Sequence, residues 1–372
     1  MNTNKRILLT FLLSRAYIFC FAILGELFIN QNTISGLWNI EVPFFNLFAR
    51  WDSGYYMLIA KNGYSLTETL AFRPLFPVFL NLAGNYYDQI VYMDIAMTIT
   101  GFFINNTLFL GALFLIHKLS AKLFSNNIAN DVILLLAFYP GSFFFSAIYP
   151  ESFYLFLIGI TFLLLEKRYF LSSGLAGFFA GLARPEGVFT TIIIALKSIL
   201  TTDKLNDKIR GILATILAGS SILVGFFLAW NYFGDFMLAF SVEASWDKVT
   251  LSQGIINPAW LMSLDFLSFF TISLPLIILS IIAIFPYFIK KPKIFEEKTF
   301  AYYLHASFLI LFFLVIGDIR SLPRYFATII PVYWTIALWF RKKPHFKSLI
   351  LLMFMFQLAL GTIMFVNWYH FF

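Results

Sequence analysis

The chain has 372 residues, of which 60% are hydrophobic and only 12% charged, with a formal net charge of +7 at pH 7. This composition excludes an ordinary soluble domain and a disordered segment, and reads as a polytopic membrane protein in which all of 1–372 forms one integral-membrane domain. The single cysteine, Cys20, excludes an intrachain disulfide, and its place in an apolar run reads as a small buried hydrophobe.

Taken in order, the first apolar run, Ile7 to Ile29, follows Lys5 and Arg6 and is long enough to span about 30 Å of hydrocarbon, a retained signal-anchor. Arg15 and Glu26 lie on nearly one face of it, a face expected to turn toward the bundle because ionisable groups in a membrane are costly. The first outer loop, 30–92, then carries Arg50-Trp51-Asp52-Ser53-Gly54-Tyr55-Tyr56 amid Phe44, Phe45 and Phe48. Amphipathic rings at this density predict short helices lying in the membrane interface. A carboxylate at that edge of low dielectric, Asp52, is a candidate general base; capping a helix or pairing with Arg50 is the plainer alternative.

Further spans are expected at about 93–116, 131–148, 151–166, 211–233, 266–289, 299–316, 325–340 and 348–368. Region 171–196 is different: Lys167 and Arg168 before it and Lys204, Lys208 and Arg210 after it require both ends on one face. Arg184-Pro185-Glu186 supplies the break, so a re-entrant pair going out and back is expected, giving about 11 spans in an all-α bundle. With this topology the inner segments hold 18 of the 26 Lys and Arg but 6 acids, and the outer segments 7 basic and 12 acidic residues. The net charge therefore expresses membrane orientation, and no nucleic-acid partner is expected.

Four polar groups fall on the outer side: Asp52 with Arg73, the hairpin Tyr149-Pro150-Glu151-Ser152, the break Arg184-Pro185-Glu186, and Asp318-Ile319-Arg320 with Arg324. Irregular polar backbone at membrane depth is tolerated only beside protein or water, so an outward cavity is expected. A ligand with a lipid tail and a phosphate head fits such a mixture: a groove for the lipid, and Arg73, Arg184, Arg320 and Arg324 as cations for the phosphate, each also able to serve as an ion-pair partner or topological anchor. Arg184, in the break, is the best placed of them. The four histidines, His117, His305, His345 and His370, are dispersed and no Gly-rich phosphate loop occurs. No resident cofactor is expected; a divalent cation between Asp52 and Glu151 or Asp318 is the weaker alternative. Residues 234–265, mixing acids with aromatics, read as an interfacial connector or a cover for the cavity.

The run RWDSGYYMLIAKNGY resembles the signature that follows the first membrane helix in the PIG-V-like, GPI mannosyltransferase 2-related family of GT-C glycosyltransferases. Arg73-Pro74-Leu75-Phe76-Pro77, Tyr139-Pro140-Gly141-Ser142 through Ser146, Tyr149, Glu151 and Ser152, and Ala183-Arg184-Pro185-Glu186-Gly187 match in the same order. The likeness covers the first half well; beyond about residue 190 only the layout and Arg324, Tyr325 and Pro331 resemble the family, and Tyr55 or Gly54 stands where it usually has a histidine. The resemblance implies a GT-C-like fold and an inverting transfer of mannose, or a similar hexose, from a polyprenyl- or dolichyl-phosphate donor to a glycan or glycolipid acceptor on the outer or lumenal face. It implies Asp52 as the base, with Glu151 the runner-up; Trp51, Tyr55, Tyr56, Glu151 and Glu186 are expected around the substrates. A transporter or flippase for a lipid-linked sugar is the competing reading, disfavoured because the polar loop and the break have no counterpart in the second half. The short loops suggest a prokaryotic cell membrane; a eukaryotic relative would sit in the endoplasmic reticulum.

Overall fold

The structure is a computed structural model that describes residues 2–32, 44–87, 92–200, 202–242, 274–289, 298–315, 318 and 321–369. Among these residues the regular structure is entirely helical, as the composition requires. Two compact units emerge, each built from separated stretches of chain: 1–33, 113–143 and 248–372 in the first, 34–112 and 144–247 in the second.

In the first unit α1 (Thr3–Phe28) packs along α16 (His345–Val366) and touches α5 (Asn126–Ala137), with α12 (Leu274–Ile289), α13 (Phe300–Val315), α14 (Leu322–Phe326) and α15 (Ile330–Lys342) completing it. Gly25 lets α1 approach Val366 and Ile363 of α16, since a Cβ there would press on both. The core centres on Trp334, fully buried, whose indole N–H donates to Ser120 Oγ at 2.8 Å. Arg15 turns inward as expected: its guanidinium donates to the Ser142 carbonyl at 3.0 Å, the Ser142 hydroxyl at 2.6 Å and the Ala137 carbonyl at 3.3 Å. The Ala137 carbonyl is one that the end of α5 leaves open, and the Ser142 carbonyl belongs to the 3-10 turn that follows. Glu26 instead is exposed, taking hydrogen bonds from Gln31. Cys20 is exposed on α1, contrary to the buried reading; an apolar run does not reveal which of its faces packs.

The second unit holds α2 (Ser53–Asn62), α3 (Leu75–Tyr87), α6 (Glu151–Glu166), α7 (Phe170–Ala183), α8 (Thr190–Leu200), α9 (Leu205–Gly219), α10 (Ser221–Phe233) and α11 (Leu238–Ser241). Helix α4 (Met93–Leu123) contributes residues to both units. Glycines 174, 177 and 181 share one face of α7 and bring it against α9 and α10: a Cβ at Gly174 would fall on the backbone of Ala214, and one at Gly181 on Ser221. Helix α7 ends at Arg184, whose extended backbone (φ −146°, ψ 144°) is what a residue before proline prefers. A 3-10 turn over Pro185–Phe189 follows, and α8 then packs on α7, α6 and α9, giving the two short arms expected about the break.

Four described helices are long and apolar enough to cross a membrane: Thr3–Phe28, Met93–Leu123, Leu205–Phe233, which bends at Ser220, and His345–Val366. The 131–148 span is not one helix. Helix α5 stops at Ala137 ahead of Pro140 and Gly141, and a 3-10 turn over Ser142–Phe145 replaces the rest. Helix α15 likewise begins only at Ile330, with Pro331 in its first turn. Helix lengths thus carry the all-helical membrane architecture without fixing the count of 11.

Candidate functional site

Asp52 sits on a tight turn ahead of α2. The 3-10 turn Phe45–Phe48 leads into it, and Trp51 takes a left-handed conformation (φ 56°), which for a bulky residue costs about 1–2 kcal/mol. Asp52 occupies the N-cap position of α2, yet its carboxylate makes no capping hydrogen bond; its carbonyl takes the N–H groups of Tyr55 (3.0 Å) and Tyr56 (3.2 Å). The capping alternative is thus not what the structure shows. Asp52, Trp51 and Tyr55 are half-buried, while Arg50 and Tyr56 are buried.

The turn is braced from the 146–152 hairpin. Ile148 N–H donates to the Phe48 carbonyl at 2.9 Å; the Tyr149 hydroxyl accepts the Asp52 N–H at 3.0 Å and donates to the Arg50 carbonyl at 3.3 Å. Asn105 of α4 donates to the carbonyls of Ala147 and Tyr149, the latter at 2.9 Å, and Ser146 Oγ donates to Asn106 at 2.9 Å. Sequence reasoning placed Tyr149 in an outer polar group and a shared motif without giving it a partner, and passed over Asn105 and Asn106. The available signal was the polar Asn105-Asn106 pair inside a long apolar helix, where polar side chains need partners.

Rings hold α2 on the rest of the unit. Tyr55 stacks on Phe72 at 4.9 Å, Tyr56 meets Phe72 at 5.0 Å and Phe76 at 5.5 Å, and Phe76 meets Phe153 of α6 at 5.6 Å. Such pairs add about 0.5–1.5 kcal/mol each beyond their burial. Burial raises the pKa of the Tyr55 phenol, and the carboxylates of Glu68 and Asp52 raise it further. A second carboxylate, Glu68, therefore shares this edge with Asp52. Burial also pushes Tyr64 well up, opposed by Arg73; the Arg73 guanidinium lies against Gly225 of α10, where a Cβ would displace it.

Glu151, at the start of α6, is fully buried, and Arg184 lies between it and Glu186, ion-paired to both carboxylates. One guanidinium thus ties the start of α6 to the helix break. The Tyr154 hydroxyl, buried without a hydrogen-bond partner, lies within electrostatic reach of Arg184 and Glu186. Removing the arginine would take a counter-charge from two buried carboxylates, a loss of about 3–5 kcal/mol.

The second unit therefore contains Trp51, Asp52, Tyr55, Tyr56, Arg73, Glu151, Arg184 and Glu186. Arg324 belongs to the first unit, in α14, buried, its guanidinium 5.9 Å from the ring of Tyr325. Arg320 lies outside the described residues, as does the part of the 234–265 loop from 243 onward. Among the described residues, no three His, Cys, Asp or Glu stand together as ligands for a metal.

The chain is 31% identical over 110 residues to GPI mannosyltransferase 2 of Drosophila pseudoobscura pseudoobscura, covering 28% of this chain and 24% of that protein. With GPI mannosyltransferase 2 of Cryptococcus neoformans it shares 26% identity over 195 residues, 49% of this chain and 46% of the relative. It thus spans between about a quarter and a half of the length of these relatives. In fold it is similar to the crystal structure of the Archaeoglobus fulgidus oligosaccharyltransferase, with a TM-score of 0.50 and 14% identity, covering 98% of this chain and 53% of that one. The family described as Mannosyltransferase (PIG-V) matches residues 39–371, from before the Asp52 turn to the end of the last helix, and the chain belongs to that family.

Proposed function

We propose that the protein is an inverting mannosyltransferase that moves mannose, or a similar hexose, from a polyprenyl- or dolichyl-phosphate donor to a glycan or glycolipid acceptor at the outer or lumenal face. The observation that carries this reading is Asp52: a half-buried residue at the start of α2 whose carboxylate makes no capping hydrogen bond, on a turn braced by Tyr149, in a chain of this family; Trp51, Tyr55 and Tyr56 are proposed to wall the site. Asp52 takes the proton of the acceptor hydroxyl; that oxygen forms the new bond to the anomeric carbon as the bond to phosphate oxygen breaks, and the electron pair leaves with the polyprenyl phosphate. A phosphate leaving group needs no strong acid, so one carboxylate suffices, unlike the paired carboxyls of glycoside hydrolysis.

Arg73 and Arg184 are the cations proposed for the donor phosphate in the second unit, with Glu151 and Glu186 in the pocket around them. For Arg184 this role requires a phosphate oxygen to take the place of a carboxylate, since two carboxylates already hold it. Arg320 and Arg324 remain proposed phosphate contacts from their sequence positions alone, and a divalent cation, if used, would be recruited with the substrates. The relatives matched are an insect's and a fungus's, which supports the endoplasmic reticulum among the two membranes considered and lends none to the prokaryotic one.

The test is incubation of the purified full chain with labelled polyprenyl-phosphate mannose and a panel of glycan and glycolipid acceptors, followed by determination of the product's anomeric linkage. Transfer with inverted configuration supports the reading. Movement of the intact lipid-linked sugar across a vesicle, without transfer, would replace it with the flippase alternative.

A further inference from the structure

Tyr149 comes from a hairpin 97 positions along the chain from Asp52, yet its hydroxyl meets both ends of the Asp52 turn. It accepts the N–H of Asp52 at 3.0 Å and donates to the carbonyl of Arg50 at 3.3 Å. Between these two bonds lies Trp51, at φ 56°, a conformation that a large side chain avoids unless its surroundings impose it. One phenol thus closes a turn that the backbone alone disfavours.

Tyr149 is itself held on every side. It is 2% exposed, its ring packs on Phe144 at 5.2 Å and Tyr56 at 6.0 Å, and its carbonyl accepts from Asn105 at 2.9 Å. Two residues on, Glu151 is anchored by Arg184. The hydroxyl is therefore placed by rigid neighbours and transmits that placement to the turn.

We propose that Tyr149 is the positioning residue for Asp52: by clamping the Arg50-Trp51-Asp52 turn, it sets the direction in which the carboxylate is offered to the acceptor hydroxyl. This rests on the reading of Asp52 as the base. The two bonds described both go to main-chain atoms, so the effect proposed for the phenol passes through the turn.

The experiment uses the purified full chain, labelled polyprenyl-phosphate mannose and an acceptor found by the panel above, with Tyr149→Phe, Asp52→Asn and the two combined. Phenylalanine keeps the ring packing and removes both hydrogen bonds. The expected result is a kcat lowered about 10- to 100-fold, as misplacement of a reacting group produces, with the donor KM within about twofold of wild type. The double variant should be no slower than Asp52→Asn alone, because a residue acting only through the carboxylate has nothing left to act on. In a Trp51→Gly background, where glycine takes the left-handed conformation without strain, the same Tyr149→Phe change should cost less than about threefold. Full activity of Tyr149→Phe, a double variant slower than Asp52→Asn, a raised donor KM at unchanged kcat, or failure to fold in both backgrounds would each overturn the proposal. Asp52→Asn transferring mannose at the wild-type rate would remove the base itself and this proposal with it, whereas a wild-type chain that transfers no sugar fails the functional reading first.

Discussion

At the scale of single residues, the two groups that matter most differ in how they are held. Asp52 sits on a turn held by main-chain contacts and makes no capping hydrogen bond, and asparagine keeps its shape, so Asp52→Asn should leave the fold intact. Transfer should then fall by about 10² to 10⁴, the usual contribution of a general base, with donor affinity unchanged. Single-turnover rates beside equilibrium donor binding measure the two separately, and retained transfer would move the search to Glu151. Arg184 is held the opposite way, by charge on both sides. Arg184→Ala should lower stability by about 3–5 kcal/mol, read as a fall in the thermal midpoint in detergent, because two buried carboxylates lose their counter-charge. Arg184→Lys keeps the charge but loses the planar fork; a drop in donor affinity in this variant is expected if it meets the phosphate, and unchanged affinity would take it out of that role. The residue types at both positions were legible in the sequence, since carboxylate and guanidinium chemistry needs no coordinates to name. What they touch was not: the Arg184–Glu151 pair spans 33 positions and the Asp52–Tyr149 bond 97, and nothing local encodes either.

Elements were legible where one residue type forces the backbone. The break between α7 and α8 could be placed to the residue because Pro185 cannot continue a helix and constrains Arg184 before it. The same signal was present at Pro140 but was outweighed by the apolar residues on either side, so 131–148 was read as a span although α5 ends at Ala137. Hydrophobicity reports that a segment is buried in protein or lipid; it does not distinguish a crossing helix from a helix, a turn and a second turn buried within the protein. The glycines of α7 were legible only as small residues, and the structure gives them their purpose as the face that admits α9 and α10. Gly174→Val should therefore push α7 from the Ala214 backbone, destabilising the protein by about 1–3 kcal/mol, while the same change at Gly234, which has open space around it but a left-handed φ of 71°, should act through backbone strain alone. Denaturation midpoints of the two variants, and the loss of transfer only with Gly174→Val, check this.

For the whole molecule, the charge distribution specifies a sidedness that helix lengths alone do not. Asn62 should face the exterior or lumen and Lys343 the cytoplasm. Cysteines placed at these two exposed positions, in a Cys20→Ser background since the native thiol is itself exposed, should be labelled from opposite sides of sealed vesicles; labelling from one side would overturn the topology. The all-helical class was legible from composition, because a lipid environment leaves helices as the structure that satisfies every backbone group of a single apolar segment. The division into two units was not, since each unit is assembled from stretches far apart in sequence. That interleaving bears on how the protein is made. The Asp52 turn enters the membrane long before Tyr149 has been synthesised, and at 5–20 residues per second the delay over 97 positions is roughly 5–20 s. Throughout that interval the left-handed conformation of Trp51 has no phenol to impose it. With Asp52 as the proposed base and Tyr149 as its proposed clamp, a nascent chain halted between the first loop and residue 149 would carry its acid unaimed, and a truncated product in the membrane is expected to transfer no sugar.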